Sequence, residues 1–440
     1  MKERYCLEGD ALAQAGKDMH RLMGELYPIC RSITGDGVRK TLDILSKTIP
    51  IDVKEVASGI DVFDWTIPKE WNIKDAYVKD PKGNKIIDIN ASTLHILNYS
   101  VPIHKTVGLS ELKRHLFSLP EHPAWIPYRT SYYNETWGFC TSHNQLEALE
   151  PGDYEVYIDA SLKEGFLTYG ECYIKGETSD EVLISTHICH PSLCNDNLSG
   201  VVLANFLAGF LSRTSLKYSY RFLFIPGTIG SITWLYYNET NLSHIKHGFV
   251  ITCAGDSGRF TYKKTRRGNS AIDRVFSQAL RDSKRDFDII DFFPYGYDER
   301  QYCSPGFNLP VGCFMRTPHG QFPEYHTSGD NLDFVTPTDL ADSFSMLLAV
   351  CNILENDTTY LNQNPKCEPQ LGKRGLYKKI GGQDDSGSFQ LAMLWVLNLS
   401  DGTHSLLDIS ERSQMTFDLI KDAATVLAEN GLLKELAGKY

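Results

Sequence analysis

Short apolar runs alternate with an apolar helical segment through the middle of the chain. EVLISTHI at 181–188, YRFLFIP at 220–226 and HGFVITCAG at 247–255 are β-rich and carry few charges, which is typical of strands buried on both faces. VVLANFLAGFL at 201–211 follows a tight turn and is long enough for a helix. This alternation predicts an α/β fold over 154–344, with a mostly parallel sheet flanked by helices.

The pattern changes on the N-terminal side of this region. Residues 18–49 predict a helix, a turn and a second helix. Residues 60–150 are rich in aromatic residues and proline, and short β-type runs there alternate with turn signals. They predict a small, mainly β domain inserted at 58–149. The alternative is a long, elaborated loop of the main domain.

The C-terminal part has a third character. Residues 362–387 are irregular and predict a linker. Three helix-like runs follow at 388–397, 404–412 and 416–430, and then GLLKEL, which is the outline of a winged helix. The predicted domains are a discontinuous α/β domain at 1–57 and 150–365, the β insert at 58–149, and a winged helix at 366–440.

The last helix argues against DNA as a partner of the winged helix. It contains Asp418, Asp422 and Glu429 against one basic residue, Lys421. Contact with DNA needs arginine and lysine side chains near phosphates. The acidic face favours a protein partner or self-association instead.

Composition limits the classes of partner and the cellular location that we expect. The 440 residues are 42% hydrophobic and 22% charged, and the net charge of -11 argues against nucleic acid or an anionic membrane as the main partner. No apolar run reaches the roughly 20 residues that span a bilayer, and the polar N-terminus is unlike a secretory signal. The 11 cysteines form no repeating framework, so we expect reduced thiols and a cytoplasmic location.

Polar residues follow the predicted strands where α/β sheets place their sites, at the carboxyl ends. Zinc accepts histidine nitrogen and carboxylate oxygen, and catalytic zinc keeps one open position. Side chains of these types, drawn from four different loops, would provide such a site. The candidates are His187, Asp196, Asp256 and His326.

These motifs resemble the zinc aminopeptidases of the M28 type. THICHPSLCNDNLSG at 186–200 is similar to the family pattern of His-x-Asp followed by Asp-Asn-x-Ser-Gly. AGDS at 254–257 and YHTSGD at 325–330 resemble the later Asp and His-Thr-x-x-Asp motifs, and YDERQYCSPGFNLP resembles a Ser-Asp-His-x-x-Phe stretch. The resemblance implies a zinc-exopeptidase-like sheet and metal ligands at His187, Asp196, Asp256 and His326.

Nearly the whole chain is also similar to a bacterial group of aminopeptidase-like proteins. The shared features are FDWTIPKEW at 63–71, the THICHPSL run and the C-terminal winged helix. Members of that group are associated with surface-polysaccharide biosynthesis. The resemblance therefore implies a link to that process, which the residues themselves do not demonstrate.

The chain departs from the M28 pattern where the chemistry depends on it. Gly227 and Thr228 stand where the family has two glutamates, a general base and a zinc ligand, and Cys189 stands where the orienting Asp should be. Glycine cannot accept a proton, so we expect one zinc ion at most. Glu299 is the candidate substitute base, and its alternative role is an ion pair with Arg300 or Arg316.

Other interpretations of single motifs stay open. Asp196 could cap the following helix, and His190 with Cys194 could belong to a different site. The FDWTIPKEW aromatics could bind ligand or form the core of the insert.

Two functions therefore remain. The first is a zinc-dependent hydrolase of amide bonds in a peptide-like or aminoacyl small molecule. The second is a catalytically impaired homologue that binds a ligand or partner.

Overall fold

A computed structural model describes residues 5–376 and 385–436. Its α-helices are Gly9–Leu26 (α1), Asp36–Leu45 (α2), Leu109–Leu112 (α3), His143–Glu147 (α4), Gly200–Leu211 (α5), Ile229–Asn238 (α6), Ala271–Asp282 (α7), Glu299–Tyr302 (α8), Pro337–Asn356 (α9), Asp385–Leu399 (α10), Leu406–Ser413 (α11) and Phe417–Glu429 (α12). Its strands are Asp52–Ala57 (β1), Asp61–Val62 (β2), Trp65–Thr66 (β3), Glu70–Lys79 (β4), Lys85–Asp88 (β5), Ile103–Gly108 (β6), Leu116–Phe117 (β7), Phe139–Cys140 (β8), Asp153–Lys163 (β9), Phe166–Ile174 (β10), Glu181–His187 (β11), Ser219–Ile225 (β12), Ile245–Ile251 (β13), Phe260–Lys263 (β14), Phe287–Ile290 (β15), Val311–Met315 (β16), Thr359–Asn362 (β17), Asp401–Ser405 (β18) and Leu433–Glu435 (β19).

An eight-stranded sheet forms the centre of the larger compact unit, which comprises residues 8–270 and 287–344. Its strand order is β1-β10-β12-β11-β13-β16-β14-β15. β12, β11, β13 and β16 are adjacent parallel strands. β10 pairs antiparallel with both β1 and β12, and β14 pairs antiparallel with β16. The predicted α/β fold with a mostly parallel sheet is confirmed.

The three apolar runs of the sequence are the central strands of this sheet. Every residue of β11 is buried, and so are nearly all residues of β12 and β13. Because β11, β12 and β13 are parallel, their carboxyl ends meet at one edge of the sheet. Residues that follow these strands are therefore brought together there.

A four-stranded antiparallel sheet, in the order β5-β4-β9-β6, takes three of its strands, β4, β5 and β6, from the aromatic region. Trp71 of FDWTIPKEW is 2% exposed and donates its indole N–H to the Ser100 carbonyl at 2.9 Å. Trp65 is 46% exposed, so the motif divides between core and surface. β9 extends this sheet beyond residue 149, and the domain boundary at 58–149 stays a prediction.

Glu70, the first residue of β4, is tied to α2 by a two-pronged ion pair. Arg39 donates to its two carboxylate oxygens at 2.9 and 2.8 Å, and the Phe166 N–H donates at 2.8 Å. The Arg39 hydrogen bond outweighs burial and lowers the pKa of Glu70 to about 2. Because the pKa of Glu70 is lower in the folded state than in the unfolded state, its ionised carboxylate stabilises the fold at pH values above the unfolded pKa. This stabilisation is lost as the pH falls towards 2.

We expect Glu70→Gln to lower the free energy of unfolding by about 2 kcal/mol at pH 7, because Arg39 would lose a bidentate partner in a mostly buried setting. The difference from wild type should shrink as the pH is lowered from 4.5 towards 2. Urea unfolding across that range measures it. Glu55→Gln removes another, more exposed partner of Arg39 and should cost at most about 1 kcal/mol. Equal losses in the two variants would contradict this assignment.

Among the described residues, the smaller compact unit contains 5–7, 271–286, 345–376 and 385–436. Helices α10, α11 and α12 pack together and accompany a three-stranded sheet, β18-β17-β19. The prediction of three helices and a final wing is confirmed. The predicted linker at 362–387 lies partly outside the described residues, at 377–384.

Lys421, the basic residue of the last helix, is 3% exposed. Its ammonium group donates to Asn352 at 3.0 Å and pairs with Asp418 at 2.7 Å. It is therefore engaged within the unit rather than presented to phosphates. Within 5–376 and 385–436, no helix combines the length and the apolar character needed to cross a membrane.

Candidate metal centre

His187 is the last residue of the central strand β11 and is fully buried. Its Nε2 lies 2.9 Å from Asp196 Oδ1. The Asn197 side-chain amide faces its Nδ1 at 3.3 Å and also donates to the His187 carbonyl at 3.0 Å. The strand and Asn197 together fix the direction in which this imidazole points.

Asp196 lies in the turn before α5 and is 1% exposed. The Asp330 carboxylate holds that turn by accepting the backbone N–H groups of Cys194, Asn195 and Asp196, at 3.1, 2.5 and 2.9 Å. These hydrogen bonds connect the turn that carries Asp196 directly to the YHTSGD segment, which contains His326. The Asp196 carboxylate is left to face the histidines.

His326 and His190 complete the group around Asp196. His326 Nε2 lies 2.9 Å from Asp196 Oδ2, and His190 Nδ1 lies 3.8 Å from Asp196 Oδ1. Despite this proximity, none of His326 Nε2, Asp196 Oδ2 and His190 Nδ1 has an aligned hydrogen-bond partner among the described residues. Buried polar atoms without partners are costly. Ligands of one tetrahedral zinc ion lie roughly 3.3 Å apart and aim at the ion rather than at each other.

The protonation states suit metal binding. Burial lowers the pKa of His190 well below its usual value, which keeps the imidazole neutral. Burial alone would raise the pKa of Asp196, but the neighbouring His190, His187 and His326 outweigh it and hold that pKa well below its usual range. Neutral imidazole and ionised carboxylate are the forms that bind metal ions. The residues present therefore fit a zinc ion.

Asp256 lies apart from this group. Its carboxylate accepts hydrogen bonds from the Asn195 amide at 2.8 Å, the Gly258 N–H at 2.6 Å, and the Thr317 hydroxyl and N–H at 2.7 and 3.2 Å. Both oxygens are occupied. The structure thus brings together His187, Asp196 and His326 and gives Asp256 a scaffolding position. A ligand role for Asp256 gains no support from this geometry.

Glu299 is buried in an ion pair with Lys263 and accepts the Tyr297 N–H at 3.1 Å. Burial would raise its pKa, but Lys263 outweighs burial and keeps that pKa below its usual value. The expected alternative partners, Arg300 and Arg316, were wrong, since Lys263 makes the pair. A carboxylate already neutralised in this way is a poor proton acceptor, so the role of base for Glu299 stays an unsupported prediction.

Tyr297 occupies the space beside Gly227. A Cβ atom on Gly227 would lie 1.8 Å from Tyr297 Cε1, far inside van der Waals contact. The Tyr297 hydroxyl donates to the Gly227 carbonyl at 3.2 Å and lies 3.3 Å from Cys189 Sγ, and its ring centre is 3.8 Å from that of His187. The aromatic side chain thus fills the volume that a side chain at position 227 would enter.

Residues of the aromatic region at 60–150 reach this site, which the sequence did not predict. Tyr128 donates its N–H to the His326 carbonyl at 2.7 Å, and Pro127 bridges to Thr327. The Tyr128 ring meets the rings of His190 and His326 edge-on, at 5.1 and 5.2 Å. The aromatic region therefore supports the orientation of two histidines of the cluster.

The sequence argument did not assign three further candidate ligands to this centre: His190, which it considered only for a different site, and Cys253 and His319, which it did not consider. Ligand atoms of His187, His190 and Asp196 lie within 4.8 Å of one another, and so do those of Asp196, Cys253 and His319. His190 is three residues from His187 in THICHPS, and this spacing is the signal that could have identified it. Cys253 lies inside the predicted strand run at 247–255, and His319 stands in no recognised motif.

Comparisons with known proteins agree with this architecture. Residues 20–357 match the family model described as "Domain of unknown function (DUF4910)", and residues 358–435 match a winged helix-turn-helix model. A Clostridium acetobutylicum protein is 55% identical over 422 residues, covering 96% of this chain and 97% of its own. It is named "Putative polysaccharide biosynthesis protein with aminopeptidase-like domain".

Solved structures give the same picture. A crystal structure of a "putative peptidase" from Clostridium acetobutylicum matches with a TM-score of 0.92 at 53% identity, over 97% of both chains. A zinc aminopeptidase from Bacillus subtilis matches with a TM-score of 0.55 at 14% identity, over 76% of this chain and 94% of that one. A peptidase M28 precursor from Shewanella amazonensis gives 0.54 at 12% identity, over 78% and 95%. The last two similarities concern the fold.

Proposed function

The chain belongs to the DUF4910 family and has an aminopeptidase-like fold, and from this premise we propose that it is a zinc-dependent hydrolase of amide bonds. The observation that carries the proposal is that the ligand atoms of His187, His190 and Asp196 lie within 4.8 Å of one another, while His326 Nε2, His190 Nδ1 and Asp196 Oδ2 are buried without aligned hydrogen-bond partners among the described residues. His187 completes the ligand set. We propose one tightly held zinc ion in this cluster, with three of the four side chains as direct ligands and the remaining position open to water or substrate.

A bound zinc ion would polarise a substrate carbonyl and lower the pKa of a coordinated water molecule. The chain's own residues position and limit that chemistry. The His326 side chain is 33% exposed, whereas His187 and His190 are buried, so His326 marks the side from which a substrate can approach. Asn197 and Tyr128 hold the imidazoles in place, and the Tyr297 hydroxyl is engaged with Gly227.

We propose a peptide-like or aminoacyl small molecule as substrate, and a cytoplasmic location. The name of the Clostridium relative supports a role close to polysaccharide biosynthesis. The acidic winged helix at 366–440 and the insert at 58–149 would then serve as separate domains. For the winged helix we propose contact with a protein partner or self-association.

A second candidate function is ligand or partner binding without turnover. It is favoured by Tyr297, which fills the place beside Gly227 where the M28 pattern has its general base. Loss of a general base typically removes about 10²–10⁴-fold in rate. Slow hydrolysis and no hydrolysis are therefore the two outcomes to separate.

Zinc content tests the metal centre directly. Protein purified without added metal and dialysed against trace zinc should retain about one equivalent per chain by elemental analysis. His187→Ala should lose it, whereas His244→Ala, at an exposed histidine, should not. If wild type retains no zinc, or if His187→Ala retains as much as wild type, the proposed centre is refuted. Assays of aminoacyl and peptide amides on zinc-loaded protein then distinguish the two functions.

A further inference from the structure

Cys253 and His319 lie beside Asp196 and belong to no part of the proposed four-residue set. Cys253 follows β13 by two residues, and His319 follows β16 by four. β11, β13 and β16 are adjacent parallel strands, so these residues lie at the same sheet edge as His187. The segments at the ends of three neighbouring strands, β11, β13 and β16, thus each place a side chain of a metal-binding type at this edge: His187, Cys253 and His319.

The three side chains are close enough to share an ion. Ligand atoms of Asp196, Cys253 and His319 all lie within 4.8 Å of one another. Asp196 is 1% exposed, Cys253 is 0% exposed and His319 is 8% exposed. The Asp196 carboxylate has two oxygens, so it can bridge this group and the zinc centre, and its Oδ2 has no aligned hydrogen-bond partner among the described residues. The Thr252 hydroxyl links the other two side chains, since it lies 3.2 Å from His319 Nε2 and donates to Cys253 Sγ at 3.6 Å.

The backbone fixes the position of the thiol. The Cys253 N–H donates to the Asn197 side-chain oxygen at 3.3 Å, and its carbonyl accepts the Arg316 N–H at 2.8 Å. Its φ of 45° lies in the left-handed region, which is costly for a residue other than glycine and is common at functional sites. A thiol that only filled the core would need neither this conformation nor a carboxylate and an imidazole beside it.

We propose that Asp196, Cys253 and His319 form a second metal position, which shares Asp196 with the zinc centre of the proposed function and therefore rests on that centre. Thiolate, imidazole and carboxylate are all ligands that zinc accepts, and three protein ligands leave one position open. The thiolate distinguishes this position chemically, since soft sulfur ligands favour zinc and other thiophilic ions over magnesium or calcium. Binding releases the thiol proton to solvent.

Cobalt substitution provides a readout that does not depend on activity. The full chain loaded with Co²⁺ should show visible d–d bands and also a near-ultraviolet band for charge transfer from thiolate to cobalt. Cys253→Ala should lose the charge-transfer band. Cys313→Ala, at a cysteine of β16 that is equally buried, should keep it. With zinc in excess, wild type should bind a second equivalent that Cys253→Ala lacks.

The outcomes separate this inference from the proposed function. Visible cobalt bands without the charge-transfer band, or a charge-transfer band that persists in Cys253→Ala, would refute the second position and leave the first intact. Absence of any bound metal would refute both. Should Cys253→Ala fail to fold, His319→Ala retains the thiol and should lose the same second equivalent of zinc, and retention of that equivalent would overturn the inference.

Discussion

Gly227→Glu combined with Tyr297→Ser is expected to raise hydrolysis of aminoacyl amides by about 10²–10⁴-fold over wild type. The change returns a carboxylate to the position where the M28 pattern has its general base. Serine is the residue of that pattern at the position of Tyr297. Rates on an aminoacyl p-nitroanilide, normalised to bound zinc, measure the effect.

Gly227→Glu alone should give no such gain. A Cβ atom at this position would overlap the Tyr297 ring, with 1.8 Å between carbon atoms, so one of the two side chains must leave its place. Tyr297 also stacks close to His187, and its displacement would disturb a metal ligand. The single variant is therefore expected to lose stability or zinc rather than gain rate. Tyr297→Ser alone opens the space but supplies no base.

The matched control is Gly227→Gln with Tyr297→Ser, which has nearly the same shape and no group able to accept a proton. If the glutamate double variant, carrying as much zinc as wild type, is no faster than this glutamine double variant, position 227 does not face the reacting water. The view of this site as a lapsed peptidase would then fail. A gain confined to the glutamate variant would place the loss of activity on two residues, Gly227 and Tyr297.

The fold could be predicted far more completely than the site. Burial on both faces leaves long apolar runs, so the strands ending at His187, Ile225 and Ile251 were visible in the sequence, as were the three helices of the winged helix. Each of these features is local. The candidate ligands His187, Asp196 and His326 were proposed because each lies inside an extended motif, and in the structure both histidines contact Asp196.

The features that the sequence missed depend on contacts between distant segments. Whether Asp256 faces a metal or a ring of donors depends on Thr317, 61 residues away. The space beside Gly227 is filled by a side chain 70 residues away, and Glu299 is neutralised by Lys263 from β14. No spacing rule reports such pairings. A glycine replacing a catalytic glutamate did predict an altered site, but not which side chain takes its place.

His190→Ala is expected to weaken zinc binding by more than roughly 100-fold, whereas Asp256→Asn should weaken it by no more than about 10–100-fold. Loss of a partner outside the ligand set typically costs about 10–100-fold in metal affinity, and loss of a direct ligand should exceed that range. His190 faces Asp196 with an unpaired nitrogen, while the Asp256 oxygens are already taken by four donors. Competition with a chromophoric chelator measures both affinities.

The two variants test opposite assignments of the same centre. If Asp256 is the ligand that the family pattern implies, Asp256→Asn should be the more damaging change, because an amide oxygen is a weaker zinc ligand than a carboxylate. If His190 has taken over a ligand position, the order is reversed. Asparagine keeps one oxygen for the Gly258 N–H and the Thr317 hydroxyl but turns an NH₂ group towards the Asn195 amide and the Thr317 N–H, so the stability of the metal-free variant is measured alongside its zinc affinity. The ratio of the two affinities therefore decides which residue completes the zinc site.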